Sequence, residues 1–298
     1  MQSQVIVPLD GSANAEAILP HALFFAQQTQ SLLTLLRVIM PPGEPEYAVP
    51  YIPDDWYAGE VSWTKNYLTS LASRLQAPGV RVQTQYQEGT FCGAVINSYA
   101  EQHSDVQLIA LATHGRGAGG RLLLGSVAGD VYASAPTSLL LLHPPKDEQL
   151  PSGPIRGATY QTIVVPLDGT ELSERVLEQA TTLALACNAS VLLVAVLPLP
   201  LLEEEILVDE IEEPLQRVPA HEEKKQTDFL TDQAEQLRSS TGLTVQTAVT
   251  EGNPEAFIER FYGHNQPNLL IVTTRKQAEH KVMRFLHQCN VPVLFVAV

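Results

Sequence analysis

Val5-Ile6-Val7-Pro8-Leu9-Asp10-Gly11-Ser12, close to the amino terminus, returns as Ile163-Val164-Val165-Pro166-Leu167-Asp168-Gly169-Thr170 in the second half of the chain. A β-branched, apolar run that ends in Pro, Asp and Gly reads as a strand delivered into a turn, with Ser12 or Thr170 placed to cap the helix that follows. The register persists beyond the run, because the spacing between Asp10 and Asp168 also separates Glu16 from Glu174 and Val38 from Val196. The chain is a tandem duplication.

Each copy alternates strands with helical stretches. In the first, residues 4–9, 32–38, 80–86, 106–111 and 138–142 are short β-rich or apolar runs, and amphipathic segments near 13–29, 60–76, 91–103 and 124–134 lie between them. The second copy predicts strands near 162–167, 191–196, 243–249, 268–273 and 291–297. Crossover helices between successive strands imply parallel pairing and right-handed connections. The expected fold is α/β, two doubly wound five-stranded parallel sheets of Rossmann-like order 3-2-1-4-5. The domains are placed at 1–146 and 161–298 with 147–160 as the linker, and the proline-rich, polar stretch from Pro144 to Pro154 reads as an exposed connection. Edge strands call for cover, so the copies are expected to pack through 138–142 and 291–297 as an intramolecular pseudo-twofold pair. A homodimer of such tandems is the further assembly considered. At the predicted turns, Glu251-Gly252-Asn253-Pro254 offers Asn as cap and Pro at the first helical position, and Glu88-Gly89-Thr90 is its counterpart.

Composition narrows the function. The chain has 298 residues, 45% of them hydrophobic, and a formal charge of −15, with acidic residues outnumbering basic ones in both halves. Nucleic acid is therefore not an expected partner, since affinity for a polyanion depends on Lys and Arg. No apolar run reaches the ~18 residues of a membrane span. Met1-Gln2-Ser3-Gln4 carries no basic leader, so a cytoplasmic address is expected. Cys92, Cys187 and Cys289 form no C-x-x-C pair and read as helix cysteines filling apolar space.

One feature is unequal between the copies. After the apolar strand Leu108-Ile109-Ala110-Leu111 the first carries Thr113-His114-Gly115-Arg116-Gly117-Ala118-Gly119-Gly120, and then Gly125-Ser126 at a helix start. Glycines allow close backbone approach, and a helix N-terminus presents unpaired N–H groups to an anion. The stretch is either a phosphate cradle or a surface turn. It is not a Walker loop, having no Lys-Ser/Thr pair, and not the dinucleotide fingerprint, which would follow the first strand. Asp10 ends a strand that should lie beside the fourth, so it faces the same crevice, either as an acceptor for ribose or adenine or as a turn-forming Asp-Gly. The second copy runs from Thr274 into Arg275-Lys276-Gln277-Ala278-Glu279-His280 without glycine, and its interval to Asn290 is shorter than that from Thr113 to Pro136. One competent site is expected. The basic run Arg275 to His287 and the acidic segment 203–213 read as solvated surface.

Val7-Pro8-Leu9-Asp10-Gly11-Ser12, Glu88-Gly89, Ala112-Thr113-His114-Gly115-Arg116 and Leu124-Gly125-Ser126-Val127 together resemble the universal stress protein family. The whole chain looks like a tandem member whose first copy is similar to the ATP-binding branch. The resemblance implies that Asp10 contacts the nucleoside, the main chain of Val38 meets adenine and Pro8 shapes the pocket. It also implies that Gly115, Gly125, Ser126 and Val127 hold the phosphates, with a divalent ion, Mg or Mn, between them. Ala112 stands where the family often has Gly, a small intrusion. His114 and Arg116 flank the loop and either assist the phosphates or remain solvated. Three functions follow: an ATP-binding stress or signalling module, a ligand-free tandem interaction scaffold, and a slow ATP hydrolase. The sequence shows donors for binding but no base to orient water.

Overall fold

The computed structural model describes residues 2–41, 55–113, 125–144, 153–167, 170–197, 220–251, 268–273 and 291–297. The first copy comprises β1 (Gln4–Pro8), α1 (Ala13–Glu16), α2 (Leu19–Gln28), β2 (Leu32–Ile39), α3 (Trp56–Arg74), β3 (Val82–Glu88), α4 (Cys92–Gln102), β4 (Val106–Ala112), α5 (Ser126–Ser134) and β5 (Ser138–Leu142). The second comprises β6 (Thr162–Pro166), α6 (Glu171–Cys187), β7 (Ser190–Leu197), α7 (Ala220–Thr241), β8 (Val245–Glu251), β9 (Asn268–Thr273) and β10 (Val293–Val296). The chain divides into two compact units, Met1–Thr159 with Thr274–Ala297, and Tyr160–Thr273 with Val298.

In the first unit β3, β2, β1, β4 and β5 lie side by side in that order, all parallel, which is the predicted 3-2-1-4-5 arrangement. β10 completes this unit by pairing antiparallel with β5, Val293 opposite Leu141 and Phe295 opposite Leu139. In the second unit β8, β7, β6 and β9 repeat the order of the first four strands. Every residue of β1 is buried, and Leu33, Leu35 and Leu36 of β2 and Ile109 and Ala110 of β4 are buried with it. A parallel sheet covered on both faces has no solvent face for alternation to mark, hence the near-continuous apolar runs.

Three local expectations change. The amphipathic stretch 13–29 is two helices, because Pro20 falls at the start of α2, lacking the N–H and having the ring that would break a continuous helix. Thr90 is not the cap of α4; that position is Phe91, in extended backbone and without a side-chain cap bond. The expected exposed linker is, over its described part, fastened to the first unit. Ile155 is 3% exposed and pairs as a bridge with Leu75; its N–H donates to Arg74 O at 2.7 Å and its carbonyl accepts from Gln76 N at 2.9 Å. Ala158 N donates to Pro20 O at 2.8 Å. The polar composition that reads as solvated thus conceals one apolar anchor. The turn at 252–254 lies outside the described residues.

Two outcomes follow. Ile155→Ala should lower stability by about 2 kcal/mol or more in urea denaturation, whereas a residue in a solvated tether would change it by no more than ~0.5 kcal/mol. Burial lowers the pKa of His21, on α2, from 6.5 to about 4. The unfolded chain therefore takes up a proton that the folded chain refuses, so stability is full above about pH 6.5 and declines as the pH falls toward 4. A shift of that size sets ~3 kcal/mol as the upper bound of that loss. His21→Gln should flatten this part of the stability–pH curve.

Candidate functional site

β1 and β4 are neighbours, with Val5 opposite Leu108 and Ile6 opposite Ile109. From β1 the chain proceeds to β2 on one side, and β4 lies on the other, so connections leave the shared carboxyl edge in opposite directions and open a crevice there. Leu9 N donates to Leu36 O at 2.8 Å, carrying the strand pairing one residue past β1 and setting Asp10 at that edge. Gly11 then takes φ 84°, a backbone conformation open chiefly to glycine. Ser12 caps α1 as its sequence position predicts, its Oγ accepting from Ala15 N at 3.1 Å. Ser12 also turns back, its N–H and hydroxyl donating to Asp10 Oδ1 at 2.9 and 2.6 Å. Asp10 is thereby both a turn former and a carboxylate at the crevice.

On the other side, Thr113 N donates to Leu142 O at 2.8 Å, and Gly125 N donates to Thr113 O at 2.8 Å. The two ends of the glycine stretch are therefore tied by one backbone bond; His114, Gly115 and Arg116, within 114–124, lie outside the described residues. Gly125 has φ −54° and ψ 150°, a conformation that any residue adopts, and its N–H is already used by Thr113. What it can offer an anion is close approach of the main chain. The donors are the next three amides, those of Ser126, Val127 and Ala128, which have no acceptor within the helix they begin. The sequence reading named two of them and missed Ala128. α5 is held in place by α4: a Cβ on Gly93 would lie 2.3 Å from Asp130 Cβ, and Asn97 Nδ2 donates to Asp130 O at 3.3 Å.

Between these elements lies a cavity of about 430 Å³, a volume within the range of small-molecule sites. Pro8 and Asp10 line it from the end of β1, Val38 from β2, Ala112 from β4, and Gly125, Ser126 and Val127 from the start of α5. All seven sequence-selected residues in the described part of the chain are thus brought together. Met40, Ile96 and Leu111 add apolar wall. Burial raises the pKa of Cys92, which also lines the cavity, so its thiol is not poised as a nucleophile at neutral pH.

Arg37 lines the same cavity and was not foreseen. It is 7% exposed, pairs with Glu60 through Nη2 at 2.7 Å, and sits over Trp63 at 4.4 Å from the ring centre. Trp63 in turn stacks on Tyr67, whose hydroxyl donates to Glu16 at 3.2 Å; burial pushes the Tyr67 pKa well up, and the charge on Glu16 adds to it. A charged residue inside Leu32-Leu33-Thr34-Leu35-Leu36-Arg37-Val38-Ile39 was the available signal, since a buried parallel strand seldom carries one unless it is paired or used. Among the described residues no group of three or more His, Cys, Asp or Glu could hold a metal ion. None of the described helices is long and apolar enough to cross a membrane. In the second copy Asp168 and residues 274–280 lie outside the described part.

The sequence model of the universal stress protein family matches residues 1–143 and again 159–297. No curated protein sequence matches the chain. Among solved structures, a universal stress protein from Archaeoglobus fulgidus superposes with a TM-score of 0.68 at 16% identity, over 99% of this chain and 96% of that one. A functionally unknown protein from Pseudomonas aeruginosa superposes with a TM-score of 0.59 at 13% identity, over 99% and 92%. At these identities the likeness speaks to fold.

The double acceptance by Asp10 yields a prediction separate from any ligand. Asp10→Ala removes both bonds from Ser12 and should lower stability by ~1–3 kcal/mol. Asp10→Asn, which keeps an oxygen where Oδ1 lies, should lose less than half as much. Equal losses in urea denaturation would show that the turn bonds are not what Asp10 supplies to the fold.

Proposed function

The chain belongs to the universal stress protein family and carries two copies of its domain, and from that premise we propose that the first copy binds ATP and serves as a nucleotide-responsive stress or signalling module. The observation that carries this is the opening of the α5 N-terminus onto the same cavity as Asp10. Three amides and the Ser126 hydroxyl supply donors for phosphate, reinforced by the helix dipole. Asp10, on the adjacent strand end, supplies an acceptor for ribose hydroxyls. Val38, Met40, Ile96 and Leu111 form the apolar slot for a base. A magnesium or manganese ion would arrive bound to the phosphates, with the Ser126 hydroxyl as the protein's oxygen ligand, since such ions keep most of their waters and need no protein cage.

Holding the nucleotide is favoured over hydrolysing it. Asp10 is the sole carboxylate lining the cavity among the described residues, and one of its oxygens is committed to Ser12. In the second copy the absence of glycines after Thr274 supports a single nucleotide site per chain.

Ser126→Pro tests the phosphate grip. Proline is favoured at the first helical position, and the preceding Gly125 already has the extended ψ that proline demands. The substitution removes one N–H and one hydroxyl without a requirement to distort α5. With ATP and magnesium at about a hundred times the dissociation constant the wild type should gain ~2.7 kcal/mol, seen as a melting temperature higher by roughly 5 °C. Ser126→Pro should melt like the wild type without ATP and lose most of that gain. No shift in the wild type at millimolar ATP would overturn the proposal.

A further inference from the structure

α5 carries the amides at Ser126 to Ala128, yet its own sequence gives it little helical stability. It is nine residues long, contains Gly129 and two valines, and is capped by Gly125 without a side-chain bond. Helices shorter than about 12 residues are marginal in water, and Gly and Val lower helix propensity further. Its buried side chains are Ala128 and Val131, both small for a core helix. The order of α5 must therefore come from what packs against it.

α4 supplies part of that support, through Gly93 and Asn97. Another part comes from the far end of the chain. The ring of Tyr132, about 9 Å along the helix from Ser126, meets Phe295 of β10 edge-to-face, with centroids 5.2 Å apart and planes at 78°. Phe295 is fully buried. β10 is fixed there by its pairing with β5, Phe295 opposite Leu139, and by Ala297 N donating to Ser138 Oγ at 3.2 Å. This strand belongs to the second copy in sequence and to the first unit in space. The second copy lacks the glycine stretch yet keeps the strand.

Amides already held in place favour phosphate binding, since any ordering that accompanies binding subtracts from affinity. We propose that Phe295 is a positioning residue for the nucleotide site: through Tyr132, the last strand of the second copy keeps α5 ordered and its three leading amides in place for phosphate. The inference rests on the nucleotide reading of the cavity and adds to it what the second copy supplies.

Hydrogen exchange and calorimetric titration with ATP-magnesium, both on the full chain, test it. In the unliganded protein Phe295→Ala and Tyr132→Ala should speed exchange of the amides of 126–134 by roughly tenfold and leave those of α2 unchanged. Both variants should bind ATP about tenfold more weakly. Tyr132→Phe, which keeps the ring against Phe295, should match the wild type in both measurements. Ile155→Ala, destabilised away from α5, should keep wild-type affinity. If Phe295→Ala does not fold, Tyr132→Ala and its Phe counterpart carry the test. A merely structural Phe295 would raise exchange in α2 and α5 alike, or leave ATP affinity unaltered below the melting range; either result overturns the positioning role and leaves the ATP site standing. Unchanged exchange in α5 does the same. If the wild type binds no ATP, the nucleotide reading fails and this inference with it, whatever the exchange of α5.

Discussion

The parallel pairing of β1 between β2 and β4 is the constraint on which the first unit depends. Parallel strands cannot be joined by tight turns, so each connection is a crossover, and where successive crossovers change direction the sheet is left open at its carboxyl edge. The strand must be buried on both faces, which requires Val5, Ile6 and Val7, and it must end abruptly, which Pro8 and the positive φ of Gly11 accomplish. Asp10 is then at the crevice as a consequence of how the strand stops. Its bonds from Ser12 show that the same carboxylate shapes the turn and is presented by it.

The bond from Gly125 to Thr113 changes how the glycine-rich region works. It fixes where the stretch leaves β4 and where it rejoins the helix. It also spends the Gly125 amide, and the positive helix end is offered one residue later, at Ser126 to Ala128. Glycine at 125 is not demanded by backbone conformation, whose angles are ordinary.

The fold was legible because it is written twice. The repeated Val-Pro-Leu-Asp-Gly run fixes strand one of each copy, the alternation that follows gives parallel order, and the reversal beside strand one gives the site's location. Boundaries were less legible where polar residues take buried or paired roles. β3 runs on to Glu88 because its backbone keeps pairing with β2 up to Ile39, although Gln85 and Gln87 give no apolar signal. Ile155 was lost among prolines and charges, since composition averages over a window while burial acts on one side chain. Among the residues lining the cavity, Gly125 and Ser126 were readable from spacing, whereas Pro8, Val38, Ala112 and Val127 came from the family resemblance. Arg37 was readable from neither, because its meaning depends on Glu60 and Trp63, a helix away in sequence and adjacent only after folding.

What the cavity can do follows from what its walls withhold. The thiol of Cys92 is kept protonated by burial, and Asp10 is partly engaged by the turn. Helix-start amides, an arginine and apolar side chains line it together. The start of α5 is itself held by packing. Gly93 lets α4 approach it so closely that a Cβ would overlap Asp130, and Asn97 binds the carbonyls of Asp130 and Val131. Interiors this tightly packed respond to a displaced element by moving its neighbour, not by compressing. α4 and α5 are therefore in direct contact, and exposed Phe91 stands at the N-cap of α4.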